Sequence, residues 1–344
     1  LSRMTDLPPS CHPDEGRIFL IKILNLIGFN LIVQHVNKII FPKMKILVTG
    51  ANGLLGTFLV PDLGRHKNEV LATGLGPNRL VIKPDWGNVS YQTLDITNAS
   101  SVYSLIDSFL PEVIIHAAAH TQADFCELNK VACWEVNVTA TRFLIDAAER
   151  VGAFFVYVST DFVFDGKDGP YREMDEPAPV NYYGCSKRVA EKAVMESSLS
   201  WSIARTVLVY GNADDLTRTN IVSWAVEKLQ KGEPIRVVSD QYRTPTYAGD
   251  LAKGLRLIAE KKATGIFHLS GKDLLTPYDM VMQTVEYLGL DKSLVEKVNA
   301  SVFSQPATRP LKTGLIIDKA QKELGYEPIH FSQGLALMLT NTNG

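Results

Sequence analysis

The segment NYYGCSK, residues 181–187, sets Tyr183 and Lys187 four positions apart with small residues between them. On a helix those two side chains share a face. A free phenol titrates at about 10, too high for efficient proton exchange near neutrality, and a neighbouring ammonium favours the phenolate. The pair is therefore a candidate proton donor, although the same spacing alone also describes an ordinary surface pair. Upstream, YVSTDFVFDG puts Ser159, Thr160 and Asp161 where an apolar run ends. The Thr160 hydroxyl suits a developing alkoxide. The chemistry these residues suggest is proton transfer to an oxygen on which charge develops, with the chain supplying orientation and a proton rather than a nucleophile.

Positioning such groups requires a nucleotide-binding scaffold, and the first strand signal supplies one. KILVTG, residues 45–50, is a continuous apolar run ending in glycine, as a buried parallel strand should be. It feeds GANGLLG, with Gly50, Gly53 and Gly56 three apart, and then an apolar helix start. Such glycines permit a tight turn, backbone approach to a pyrophosphate and close helix–strand packing. Asn52, Leu54 and Leu55 lie inside the same turn and are assigned to the cofactor with it. Pro61 falls inside the expected helix and is expected to kink it. Strand and helix signals then alternate through EVLATG, VSYQTLDI, SSVYSLIDSFL, PEVIIHAAAH, a long helical stretch to Arg150, and AFFVYVSTD. That alternation predicts an α/β protein with a Rossmann-type, doubly wound parallel sheet, whose ligands sit at the strands' carboxyl ends. Those ends carry Gly53, Asp95 with Ile96, Ala117, Ala118 and Ala119, and Ser159 to Asp161. After the second strand, ATGLGPNRL has no acid for a ribose 2′-hydroxyl but does have Arg79, which favours NADPH, with NADH as the alternative.

Other features mark limits. The net charge of −2 gives no electrostatic reason to expect nucleic acid or an acidic membrane as partner. Four cysteines without a CxxC pair make no disulfide framework, so a reducing cytoplasm is the default. His116 and His120 have zinc-like spacing, but lack an intervening glutamate and follow a buried strand. A backbone-satisfied or cofactor-side role is expected, and no metal is assigned. Cys185 reads as a small packing residue. Residues 1–43 contain an apolar run that is short and interrupted for a membrane helix. They are expected to be an extension outside the functional domain, with a peripheral anchor as the alternative. Residues 44–210 form the expected NADP-binding domain. Residues 211–344 form mainly a smaller α/β substrate lobe, with some segments returning to the first domain.

The glycine turn, STDFVFDG, PAPVNYYGCSK, DQYRTPT and TRP together resemble the dTDP-4-dehydrorhamnose reductase family, in the extended short-chain dehydrogenase/reductase superfamily. The resemblance runs from about Met44 to the C-terminus. It implies Tyr183 as proton donor, Lys187 as its partner and holder of the nicotinamide ribose, and Thr160 as the group that polarises the carbonyl. It implies a nucleotide-sugar substrate, faced by Thr121 and Asp124 of one loop, by Thr160, Asp161 and Phe162, and by Gln241 and Arg243. Arg309 is the diphosphate partner, because guanidinium binds phosphate oxygens in a forked geometry. A homodimer is compatible with it. Leu208 stands where rhamnose-forming members often carry tryptophan, which removes an apolar platform beside the sugar. Phe162 follows Asp161 where sugar-nucleotide dehydratases carry glutamate, which disfavours dehydration; epimerisation survives as an alternative. The run from Val151 to Gly184 also resembles the regulatory subunit of methionine adenosyltransferase, an NADP-binding partner protein.

Overall fold

The computed structural model describes residues 44–212 and 220–340. The proposed extension, residues 1–43, lies outside the described residues. Strand β1 (Lys45–Thr49) is buried at all but its first residue, because helices cover both sheet faces. Next in the chain come β2 (Glu69–Gly74), β3 (Val89–Thr93), β4 (Val113–His116), β5 (Phe154–Thr160) and β6 (Trp201–Thr206). Two-residue strands β7 (Val209–Tyr210) and β9 (Thr246–Tyr247) pair with each other, and β8 (Ile235–Val238) lies between them in sequence. The last strands are β10 (Gly265–His268) and β11 (Val295–Val298).

The main sheet has seven parallel strands in the order β10-β6-β5-β4-β1-β2-β3. Strand order reverses direction between β1 and β4, the point at which a doubly wound sheet opens a crevice for its ligand. On one face, Ile46 and Val48 pack against Leu59 and Leu63 of helix Leu54–Arg65 and against Leu251 and Leu255 of helix Ala248–Lys261. On the other, Leu47 and Phe155 pack against Leu105, Leu144 and Val194 of three further helices. Helix Leu54–Arg65 runs as one element through Pro61. The stretch expected to be one long helix is divided instead. Helices Ala123–Leu128 and Lys130–Trp134 meet at Asn129, and a π-helical turn, Glu135–Thr139, precedes helix Ala140–Val151.

The C-terminal half is interleaved with the sheet. Strand β10 extends its edge beside β6, and Arg256 of helix Ala248–Lys261 reaches Asp62 at 2.8 Å. Strands β8 and β11 form a separate two-stranded parallel sheet. Helices Ile221–Gln230 and Pro277–Leu288 cover it, through Ala225, Leu229, Val281 and Val285. Among the described residues, no helix is long and apolar enough to cross a membrane.

Candidate active site

The glycine turn is built as the residue types require. Gly50 has φ +77, and a Cβ there would lie 2.8 Å from the backbone nitrogen of Ala118. The ends of β1 and β4 therefore approach each other too closely for any side chain. A Cβ on Gly56 would lie 2.2 Å from the Ala51 carbonyl oxygen, so only glycine lets the helix settle onto the turn. Helix Leu54–Arg65 starts at Gly53 with no side-chain cap and no acid in its first turn. A helix start left in that state favours an anion such as a pyrophosphate. The cradle fits a dinucleotide.

Asn52 ties this turn to the loop after β2. Its amide donates to the carbonyl of Pro77 at 3.0 Å and to the Tyr91 hydroxyl at 2.9 Å, and its Oδ1 accepts from the Arg79 amide at 3.1 Å. Arg79 is exposed at that loop, and its guanidinium makes no hydrogen bond or ion pair among the described residues. Asp95 is exposed, and its Oδ1 accepts from the amide and hydroxyl of Thr97, while Ile96 is buried. Ala117, Ala118 and Ala119 follow β4 and are half-buried. The neighbouring histidines differ. His116 is held between the hydroxyls of Thr49 and Thr141, at 2.7 and 3.0 Å, and burial, aided by Lys187, pulls it down to about 3. It is neutral and structural. The backbone of His120 exchanges two hydrogen bonds with the Asn137 amide.

Tyr183 and Lys187 lie on the buried face of helix Tyr182–Glu196, capped by Asn181, whose Oδ1 accepts from the Gly184 amide at 2.8 Å. Glu191 continues the same face one turn on and forms a bidentate pair with the buried Arg205, at 2.9 and 2.8 Å. Lys187 Nζ donates to the Val158 carbonyl at 2.8 Å and stands 4.1 Å above the Tyr157 ring. Burial pulls Lys187 down to about 7, against the opposing pull of Glu191. The sequence suggested that this ammonium would lower the phenol. In the structure burial dominates and pushes Tyr183 well above its usual value, while a hydrogen bond with Thr160 pulls it back. Thr160 ends β5, and its Oγ accepts from the Phe162 amide at 3.2 Å.

The small residues between Tyr183 and Lys187 have different tasks from those expected. A Cβ on Gly184 would sit 2.1 Å from the Phe162 carbonyl oxygen, so this glycine brings the helix against the Thr160 turn. Ser186 is buried, donates to the Tyr183 carbonyl at 2.7 Å and accepts from Asn137 Nδ2 at 3.0 Å. Cys185 is exposed, so its reading as a packing residue is corrected: it lies on the outer face of the helix. Asn137 was not anticipated. It sits in the π-helical turn and joins the loop after β4 to helix Tyr182–Glu196, through His120 and Ser186. The only signal in the sequence was an amide inside an apolar helical stretch.

Next to the Thr160 turn, a small cavity of about 150 Å³ is lined by Asp161, Phe162, Leu208, Ile221, Gln241, Arg243, Pro277 and Arg309. Arg309 forms a forked pair with Asp124, at 2.9 and 2.6 Å, which holds that carboxyl below its usual range. The pair joins helix Ala123–Leu128 to the C-terminal loop. Arg243 is buried, and its guanidinium donates to the carbonyls of Tyr242, Leu311 and Pro310 at 2.8, 3.0 and 2.6 Å. It therefore fixes the cavity wall. Thr121 is exposed, and Gln241 is half-buried at the cavity. Leu208 is partly exposed at φ +36, in the left-handed region that a leucine seldom adopts.

The crevice can be compared with known proteins. Residues 44–343 match the family described as "RmlD substrate binding domain". The chain belongs to that family. It is thereby one of the NAD(P)-dependent oxidoreductases typified by dTDP-4-dehydrorhamnose reductase. The dTDP-4-dehydrorhamnose reductase of Aggregatibacter actinomycetemcomitans is 34% identical over 306 residues, 85% of this chain and 97% of the relative. Methionine adenosyltransferase 2 subunit beta of Pongo abelii is also 34% identical, over 277 residues and 79% of each chain. Among solved structures, dTDP-4-dehydrorhamnose reductase from Bacillus anthracis str. Ames in complex with NADP superposes with a TM-score of 0.75. That pair is 28% identical, with 87% of this chain and 99% of the other covered.

Proposed function

We propose that the chain reduces the 4-keto group of a nucleotide-linked 6-deoxy sugar, with NADPH as the reductant. The observation that carries this reading is the burial of Tyr183, Lys187 and Thr160 together at the carboxyl end of β5, in the same parallel sheet whose β1 leads into the glycine turn. When bound, the nicotinamide supplies a hydride to the carbonyl carbon. Tyr183 supplies the proton to the carbonyl oxygen, and because burial raises its pKa it holds that proton at neutral pH. Thr160 orients that oxygen. Lys187, held by the Val158 carbonyl, is the cation nearest to hand for a ribose hydroxyl. Arg79 faces the 2′-phosphate, and the glycine turn with Asn52, Leu54 and Leu55 faces the pyrophosphate. Gln241 and Arg309 face the nucleoside diphosphate, while Arg243 holds the wall behind them. Residues 44–210 carry the cofactor, and residues 211–344 mainly carry the substrate. Leu208 in place of an indole leaves the sugar side of the cavity more open, which favours a sugar other than the rhamnose precursor.

A second reading, a regulatory NADP-binding subunit, is favoured by the 34% identity to methionine adenosyltransferase 2 subunit beta. The separating experiment is NADPH oxidation by the purified chain alone, across dTDP- and UDP-linked 4-keto-6-deoxy sugars. Turnover with any of them supports the reductase reading. Tight NADP binding without turnover on the whole series favours the regulatory one.

A further inference from the structure

Two cations line the cavity, Arg243 and Arg309. A guanidinium carries five N–H donors in one plane, which form two forked edges. Both edges of Arg243 are engaged, because its donors meet three carbonyls and its Nε stands 3.7 Å from Asp161. Arg309 is different. Its Nη1 donates to Asp124 Oδ1 and to the Ala307 carbonyl, both at 2.9 Å, and its Nη2 donates to Asp124 Oδ2 at 2.6 Å. That leaves Nε–H and the second Nη2–H, which point the same way along the adjoining edge and have no partner among the described residues. Two parallel donors of this kind match a phosphate bidentately. Arg309 lines the cavity and Asp124 does not. Asp124 Oδ1 also accepts from the Ala307 amide at 3.0 Å, so one carboxylate grips both the guanidinium and the loop that carries it.

We propose that Asp124 is a positioning residue for the substrate's diphosphate, holding one edge of Arg309 so that the other edge is presented to the cavity as a preformed fork. Asp124 then acts on the substrate through Arg309 rather than by touching it. Two effects of the carboxylate oppose each other. Its charge repels a phosphate held by the same guanidinium. Its hold removes, before binding, the rotamer freedom that a long side chain would otherwise lose when the phosphate arrives. The Asp124 side chain is 38% exposed, so solvent and salt screen its charge, whereas the geometric hold is not screened. The hold therefore outweighs the repulsion, and the sign of the balance can be measured.

The inference rests on the reading of the cavity as a nucleoside diphosphate site, and its test needs no turnover. Calorimetric titration of the full chain with dTDP and with UDP, in saturating NADP, gives affinities for wild type, Asp124→Asn, Arg309→Gln and the double variant. Charge alone predicts tighter nucleotide binding by Asp124→Asn, because a carboxylate near the phosphates is gone. The positioning role predicts the opposite, a loss of about 10-fold, with NADP affinity of the same preparation kept. In the Arg309→Gln background the Asp124 change should bring no further loss, since it acts only through that guanidinium. Unchanged or tighter binding by Asp124→Asn would overturn the proposal, and so would an equal loss with and without Arg309. Arg309→Lys keeps the charge but not the fork, so it should also lose about 10-fold. Wild-type affinity in that variant would refute the preformed edge. A wild-type chain that binds neither nucleotide would bring down the reading of the cavity and the inference with it. Wild-type binding without an Asp124 effect would bring down the inference alone.

Discussion

Replacing Gly184 by alanine tests how Tyr183, the proposed proton donor, is brought to the Thr160 turn. The added methyl would lie 2.1 Å from the Phe162 carbonyl oxygen and 3.0 Å from both the Phe162 carbonyl carbon and Pro179 Cβ. Relief to ordinary contact needs a displacement of about 1 Å, and the nearest obstacle is backbone. Two consequences follow from one movement. Overpacking of this kind costs about 1–3 kcal/mol, a fall in melting temperature of a few degrees in a chain of this size. The helix also carries Tyr183 away from Thr160, and a 1 Å misplacement can lower turnover by about 100-fold. Calorimetric unfolding and steady-state kinetics on the same preparation measure both. NADPH affinity should fall less than turnover, because the glycine turn and Asn52 are not displaced and only Lys187 moves with the helix. An alanine variant with wild-type melting temperature and wild-type kcat would refute the close-approach argument.

Lys187→Met should lower turnover and weaken NADPH binding together, as measured by kinetics and by cofactor titration. It should also change the pH dependence of stability. The folded value of Lys187 is about 7, below its unfolded value, so the unfolded chain binds the extra proton in between. Wild-type stability should therefore gain on Lys187→Met as pH rises from about 7 towards 10 in urea unfolding, and parallel curves would show that the lysine is not depressed. Arg79→Ala should weaken NADPH binding by about 1.5–3 kcal/mol and NADH binding far less, and equal losses would make Arg79 a structural residue. A chain starting at Met44 should fold and bind NADP as the full chain does. Met44 is buried and its amide donates to Asn68 at 3.2 Å, so the first strand is anchored from within; loss of binding would move the boundary.

Much of the scaffold was legible because its signals are local. The run KILVT, the three glycines and the YxxxK spacing each describe one element and its immediate neighbours, and each stands where the pattern put it. What escaped depends on partners far apart in the chain. Nothing near Arg309 announces that its guanidinium is matched to Asp124, and nothing near Arg243 announces three carbonyls waiting for it. Asn137 is similar, since its partners come from the loop after β4 and from helix Tyr182–Glu196. The outward turn of Cys185 was missed because Gly184 and Ser186, not the cysteine, carry the tight contacts on either side. The effect of Lys187 on Tyr183 was misjudged for another reason. Spacing reports proximity, whereas the balance between charge and desolvation depends on how deeply both groups are buried.

The central claim is that Tyr183 donates a proton to a sugar carbonyl. The direct measurement is kcat for NADPH oxidation with a 4-keto-6-deoxy sugar nucleotide, on wild type and on Tyr183→Phe, with cofactor affinity measured alongside. Phenylalanine keeps the ring, its burial and its edge contact with Phe162, and removes only the transferable proton. Turnover should fall by at least about 100-fold while NADPH affinity stays near wild type. A Tyr183→Phe enzyme that turns over at the wild-type rate would contradict the account.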